Sequence, residues 1–352
     1  MAKNQFMFWG CDFDPNPDMN GIRRKLSNFL LSEGNSRGRG PYDILYAHKT
    51  IISDACGLFA GKYPCPSWLS VTPDFAREIY PENYRAFINN GGCRDLAFAF
   101  GEHVRKKTPQ ERIPITLGVD HCITGGLYRA LAESGSDIIL VILDQHLDAL
   151  SPYCRNRMVG YSREHEKKKQ KNSVEYYGPD FRGDYDTGSF LHYLIKDQVL
   201  KPKNLLVLGN QDAPAAKLRN IKDSRITGYL DEYDSMLANG ATIVPLKELR
   251  KQSFYSMQQE LQDRLANRRI YLSVDIDVFD GVLGRSSRYS ARDGLSFDEV
   301  ARLLNWLGIS DTQIIGMDIM ELDINVLREH HTEESEIAAC FEKLIQLAFS
   351  NL

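Results

Sequence analysis

The chain has 352 residues, 43% of them hydrophobic, with 43 basic against 47 acidic side chains and a formal charge of −4. That length supports one large or two modest domains, and the charge balance speaks against a nucleic-acid-binding face. No apolar run reaches the roughly 20 residues of a membrane span. Seven cysteines, odd in number and without a C-x-x-C pair, fit reduced thiols in a cytoplasmic protein better than a disulfide framework.

The opening MAKNQFMFWGCDFD is a poor signal peptide, because its apolar stretch is short and soon meets acids; it fits a first strand instead. Taken in chain order, short aliphatic and β-branched runs predict strands at 5–9, 42–46, 113–117, 138–143, 204–208, 241–244, 270–274 and 313–319. Between them, helical periodicity predicts helices at 21–31, 81–87, 124–133, 188–200, 246–267, 296–307 and 333–350. Several strands are continuously apolar, as in a sheet covered on both faces. The alternation points to an α/β fold, a parallel sheet with helices on both sides, in a single domain spanning 1–352. Residues 149–187 break the pattern, and their run EHEKKKQKN (164–172) is highly charged. A long stretch without periodicity reads either as a solvated excursion or as a lid over a site.

Four predicted strands lead into acidic or imidazole side chains. Three are followed by Asp120-His121, by Asp144-Gln145-His146-Leu147-Asp148 and by Asp275-Ile276-Asp277, and the fourth carries Asp318 and runs on to Glu321. In extended chain, residues two apart share a face, so Asp144, His146 and Asp148 project together, as do Asp275 and Asp277. In a parallel sheet the strand carboxyl ends open on one edge, where ligands bind. With His121, four carboxylates and two imidazoles then converge. So many buried acids need compensating positive charge, and two divalent cations sharing carboxylate ligands supply it.

The motifs themselves resemble the ureohydrolase (arginase/agmatinase) family. GVDH at 118–121 is similar to the family's GGDH, DQHLD at 144–148 to D-A-H-x-D, and SVDIDVFD at 273–280 to S-x-D-x-D-x-x-D-P. GMDIMEL at 316–322 is similar to the family's final strand motif, which ends in a Glu. The likeness is firm over 113–321 and loose before about residue 100. It implies a three-layer arginase-like fold with about eight parallel strands, and two Mn2+ ions per chain. One ion would be held by His121, Asp144, Asp148 and Asp275, the other by Asp144, His146, Asp275 and Asp277, with Asp144 and Asp275 bridging. It further implies that Glu321 orients a guanidinium, that Asp148 relays a proton to the leaving amine, and that the products are urea and a primary amine. Family members commonly form trimers or hexamers, so the resemblance implies a homo-oligomer as well.

The chain also departs from the family. The Asn-containing segment that in free-arginine hydrolases holds the α-carboxylate is replaced after Asp148 by Ala149-Leu150-Ser151-Pro152. The family's G-x-x-D-x-D becomes Gly209-Asn210-Gln211-Asp212-Ala213-Pro214, which keeps the first acid and loses the second. Its His-Gly becomes Thr187-Gly188, with His192 a helical turn later as the candidate replacement for the proton-shuttling histidine. Groups that read a free amino acid are missing, while the cage is complete. The expected substrate is therefore an arginine residue within a peptide, converted to ornithine; agmatine or another small guanidino compound is the alternative. A single-zinc deacetylase-like enzyme and a non-catalytic regulator are the competing classes. Neither nucleic acid nor membrane is expected as a partner.

Overall fold

The run IILVIL at Ile138–Leu143 shows how sequence builds the sheet. All six residues are buried, and they alternate between two apolar layers: Ile139, Val141 and Leu143 face one, Ile138, Leu140 and Ile142 the other. A strand with both faces covered belongs at the centre of a three-layer protein. The computed structural model describes residues 5–31, 40–48, 57–69, 71–72, 74–132, 137–165, 183–251, 254–289, 293–309 and 312–350.

The first half of the chain contributes β1 (Phe6–Cys11), α1 (Met19–Leu31), α2 (Pro41–Ala47), β2 (Gly57–Lys62), α3 (Pro81–Asn89), α4 (Gly92–Lys107), β3 (Ile113–Gly118), α5 (Cys122–Ala132), β4 (Ile138–Leu143) and α6 (Pro152–His165). Next come α7 (Phe190–Lys196), β5 (Leu205–Asn210), α8 (Ser224–Ala238), β6 (Thr242–Pro245), α9 (Leu246–Leu249), α10 (Phe254–Leu265) and β7 (Arg269–Asp275). The chain then forms α11 (Gly281–Arg285), α12 (Phe297–Ile309), β8 (Gln313–Met320), α13 (Ile324–Glu329) and α14 (Glu334–Ala348). The eight strands form one parallel sheet in the order β2-β1-β3-β8-β7-β4-β5-β6. One face is covered by apolar residues of α2, α10, α12 and α14, the other by those of α4, α5, α7 and α8. No helix among the described residues is long and apolar enough to cross a membrane.

The order places the site. The step from β3 to β4 skips two positions, and β7 and β8 fill them. The four strands that lead into the acidic and imidazole residues are thus consecutive neighbours, β3-β8-β7-β4. All run parallel, so their carboxyl ends meet at one edge of the sheet. On the α4/α5 side the helices cross closely: a Cβ at Gly126 would lie 1.9 Å from the Ala97 carbonyl, and one at Gly101 2.1 Å from the Gly126 carbonyl. Glycine is required at that crossing, which seats α5 and, just before it, His121.

Several sequence expectations are corrected. Residues 42–46 are helical, within α2: Pro41 occupies the first turn, and the Asp43 carboxylate accepts the Gly40 N–H at 2.9 Å, as a helix start demands. The edge strand beside β1 is instead β2, whose GLFAGK is only partly buried. The stretch 149–187 is not without structure, since α6 occupies Pro152–His165. Most of the charged run, and residues 166–182 as a whole, lie outside the described residues, and the lid expectation lies there with them. The helix expected at 188–200 is shorter, and that at 246–267 is two helices, α9 and α10.

Candidate metal centre

Register explains the first contacts. Leu143 pairs with Val274 across β4 and β7, so the next residues, Asp144 and Asp275, stand side by side at the carboxyl edge of the sheet. Each carboxylate then caps the turn it begins: Asp144 Oδ1 accepts the His146 N–H at 2.6 Å, and Asp275 Oδ1 accepts the Asp277 N–H at 2.8 Å. The second oxygen of each is left for the cage. His121 enters from β3 at the start of α5, its ring centroid 5.0 Å from that of Phe190 on α7. Its Nδ1 lies 3.1 Å from Asp144 Oδ2, 3.2 Å from Asp148 Oδ2 and 3.3 Å from Asp275 Oδ2. His146 Nδ1 lies 2.9 Å from Asp277 Oδ2 and 3.7 Å from Asp144 Oδ1. Except for His146 and Asp148, these groups are buried.

Two clusters among the described residues have ligand atoms close enough to share a cation: His121, Asp144 and Asp275, and Asp144, His146 and Asp277. Asp144 belongs to both. Asp148 faces His121 at the edge of the first cluster, and Asp275 falls in the first cluster only.

A cation test comes from the atoms themselves. His121 Nδ1 is buried without a hydrogen bond although three carboxylates surround it, and Asp277 Oδ2 is likewise without one. Unpaired buried polar atoms are costly. The tautomer is also set for ligation. Asp318 on β8 accepts hydrogen bonds from Ser273 Oγ at 2.6 Å, Tyr271 OH at 2.8 Å and Thr124 Oγ1 at 2.9 Å. Ser273 spends its proton on Asp318, so it accepts from His121 Nε2, 2.9 Å away. With Nε2 keeping its hydrogen, Nδ1 is the nitrogen left to face the three carboxylates and to exchange its proton for a cation, as a metal ligand requires.

Electrostatics agree. Burial raises the pKa of Asp144, and the neighbouring Asp277 and Asp148 raise it further; Asp275 is raised by burial, Asp277 and Asp144. Burial alone would lower the two histidines. Carboxylate neighbours outweigh it, lifting His121 well above its ordinary value and His146 to about 11. Without cations the cage therefore holds protons. The residues present fit a pair of divalent ions.

Beside the cage, Glu321 is buried at the end of β8. Its Oε1 accepts the His121 N–H at 3.0 Å and the Thr187 hydroxyl at 3.2 Å, and its Oε2 lies 3.2 Å from Arg288 Nη2. Burial lifts its pKa to about 7, against the pull of Arg288. Thr187 thus touches Glu321 through its hydroxyl. His192 sits on α7 with its ring against Tyr193, and the charges acting on it are those of Glu232, Lys196 and Asp197; burial lowers its pKa. Asp212 is occupied locally, accepting the Leu147 N–H at 3.2 Å and the Asn210 amide at 2.6 Å. Arg288 was not singled out in the sequence. One arginine among 43 basic residues carries no periodic or motif signal.

Fold and cage together define the class: a three-layer α/β protein with a cluster of candidate metal ligands at the carboxyl edge of its central strands. Residues 93–344 match the model of the arginase family, and the chain belongs to that family, whose members bind a binuclear metal site. Among curated relatives, an agmatinase of Shigella sonnei (strain Ss046) is 22% identical over 255 residues, covering 69% of this chain and 66% of the relative. An agmatinase of Neisseria meningitidis serogroup C is 22% identical over 248 residues, covering 68% and 64%. The matches thus span just under two thirds of these relatives' own length. Arginase from Bacillus subtilis shares the fold with a TM-score of 0.58 at 14% identity, over 97% of this chain and 98% of that one. Proclavaminate amidino hydrolase from Streptomyces clavuligerus does so with 0.56 at 20% identity, over 100% and 93%.

Proposed function

We propose that the protein is a manganese-dependent guanidino hydrolase that adds water to a guanidino carbon, breaks the C–N bond to the side chain, and releases urea and a primary amine. The observation that carries this reading is the ligand cage itself, with a histidine Nδ1 preset by Ser273 and Asp318 and facing three carboxylates. His121, Asp144, Asp148, Asp275, His146 and Asp277 would hold two cations, which when bound supply Lewis acidity and a nucleophilic water at neutral pH. Glu321, fixed by the His121 N–H and the Thr187 hydroxyl, would orient the guanidinium through a charge-assisted hydrogen bond. Asp148, held by the Leu191 N–H on its backbone carbonyl at 3.1 Å, would take a proton from the attacking water. It would then deliver that proton to the amine nitrogen as the C–N bond breaks. The groups described around His192 are Tyr193, Glu232, Lys196 and Asp197, none of them a cage residue, and we assign it no step.

We further propose an arginine residue of a peptide as substrate, giving ornithine within the chain. The groups that would read a free α-amino acid are lacking or spent: Asp212 is bound to Leu147 and Asn210, Pro214 follows it, and no Asn stands after Asp148. Agmatine is the second reading, supported by the agmatinase relatives and by its own lack of a carboxylate. Manganese-loaded protein should release urea from an Arg-containing peptide faster than from agmatine or free arginine. Faster release from agmatine would move the assignment to the second reading, and preference for free arginine would exclude both.

A further inference from the structure

Glu321 is shared with a guanidinium the chain supplies itself. Arg288 lies in the loop that follows the Asp275–Asp277 motif, and that loop is stitched to the end of β8: Ser287 bridges to Leu322, and the Asp323 N–H donates to the Ser286 carbonyl at 3.0 Å. The guanidinium is almost wholly buried. Its Nη1 donates to Asp14 at 2.5 Å, its Nη2 to the Val119 carbonyl at 3.0 Å and to Glu321 Oε2 at 3.2 Å, and Nε lies 3.9 Å from Asp323. Asp14 is anchored in turn by Lys25 at 2.7 Å. A cation held at this many points is not exchanged for a substrate cation; it belongs to the framework.

We infer that Arg288 is a positioning residue: it holds Oε2 of Glu321, while His121 and Thr187 hold Oε1, so that the carboxylate faces the cage in one orientation. A carboxylate offers about four acceptor positions. Three are taken, which leaves one on Oε2 for the incoming group. The substrate is therefore gripped by a single N–H on Glu321, not by a two-point fork, and the grip depends on Arg288 holding the plane. This inference rests on the guanidino-hydrolase reading for its kinetic consequence, but not for its structural one.

The test uses manganese-loaded full-length protein and the variants R288M, R288K and D14N, the last loosening Arg288 from its far side in case R288M does not fold. Metal content, melting temperature, kcat and KM for urea release, and crystal structures are compared. R288M should keep two ions per chain and lose on the order of 100-fold in kcat/KM, mostly through KM, as for a lost hydrogen bond between charged groups. R288K, which keeps the charge, should recover about tenfold, and D14N should fall between them and wild type. In the R288M or D14N crystal structure, the Glu321 carboxylate should have rotated about its His121-bound Oε1, carrying Oε2 out of its present position. Wild-type kcat/KM with Glu321 unmoved in either variant overturns the inference. So does a loss of metal and of folding that R288K does not repair, which would mark a merely structural residue. If wild type cleaves no guanidino compound, the functional reading fails, and the position of Glu321 in the variant structures still decides the role of Arg288.

Discussion

Replacing Asp318 with Asn should disable one metal position from outside the cage. The carboxylate accepts three hydrogen bonds, one on Oδ1 from Ser273 and two on Oδ2 from Tyr271 and Thr124. An amide of the same shape keeps only one acceptor, and the orientation losing least turns its oxygen to Tyr271 and Thr124. Its NH2 then points at Ser273 Oγ, which must accept and send its own proton to His121 Nε2. The imidazole tautomer reverses, and Nδ1 carries a hydrogen toward Asp144, Asp148 and Asp275 in place of a lone pair. Restoring the ligating tautomer against this arrangement costs a factor of about 10–100 in affinity, the usual effect of an outer partner, or about 1.4–2.7 kcal/mol. The loss falls on the ion beside His121, while the His146 position stays intact. Calorimetric titration of metal-free protein with manganese, with bound metal counted independently, should give two comparable sites for wild type and one weakened site for Asp318→Asn. Ser273→Ala should weaken the same ion. Two sites of wild-type affinity in Asp318→Asn would refute the tautomer argument.

Asp144 belongs to both ligand clusters and Asp277 to one, so Asp144→Asn should abolish binding of both ions and Asp277→Asn of one. Metal-free Asp144→Asn should melt no lower than metal-free wild type, because burial and the nearby acids already disfavour the charge it removes; a clear fall in melting temperature would contradict that. The raised pKa of His121, His146, Asp144 and Asp275 means that the empty cage carries protons at neutral pH which cations must displace. Manganese affinity should therefore weaken as pH falls. Titrations at one pH in buffers of different ionisation enthalpy should report at least one proton released per filled site, and none released would sink the assignment.

The cage was legible because each ligand follows a strand whose apolar run is unmistakable, and a parallel sheet gathers such ends by geometry alone. Elements with weaker patterns were not legible. β2 carries two glycines in six residues and lies at the sheet edge, where little burial disciplines its sequence. α6 buries only Pro152 and Cys154, so it has no apolar stripe to read, and α4 hides its face of Leu96, Phe100 and Val104 behind a glycine at each of two turns. Residues 42–46 look equally apolar in either period, and Pro41 with Asp43 decides for helix. The partners of Glu321 were invisible for another reason. Thr187 and Arg288 reach it from separate segments, and Arg288 meets Asp14 across 274 positions, so only the fold brings them together.

Backbone conformation is unusual at the two residues to which we give the proton transfer and the substrate grip. Asp148 and Glu321, with φ of 51° and 70°, are two of five non-glycine residues described in the left-handed region, the others being Gln198, Asn267 and His331. Asp tolerates this better than Glu, and such a residue typically costs about 1–3 kcal/mol unless its surroundings impose it. Here they do: the Leu191 N–H holds the Asp148 carbonyl, while His121, Thr187 and Arg288 hold the Glu321 carboxylate. Glycine would satisfy the backbone at both positions at less cost, and neither position has it. Of the five such residues, these two are the ones whose carboxylates stand at the cage, and it is that contact we set against the backbone cost.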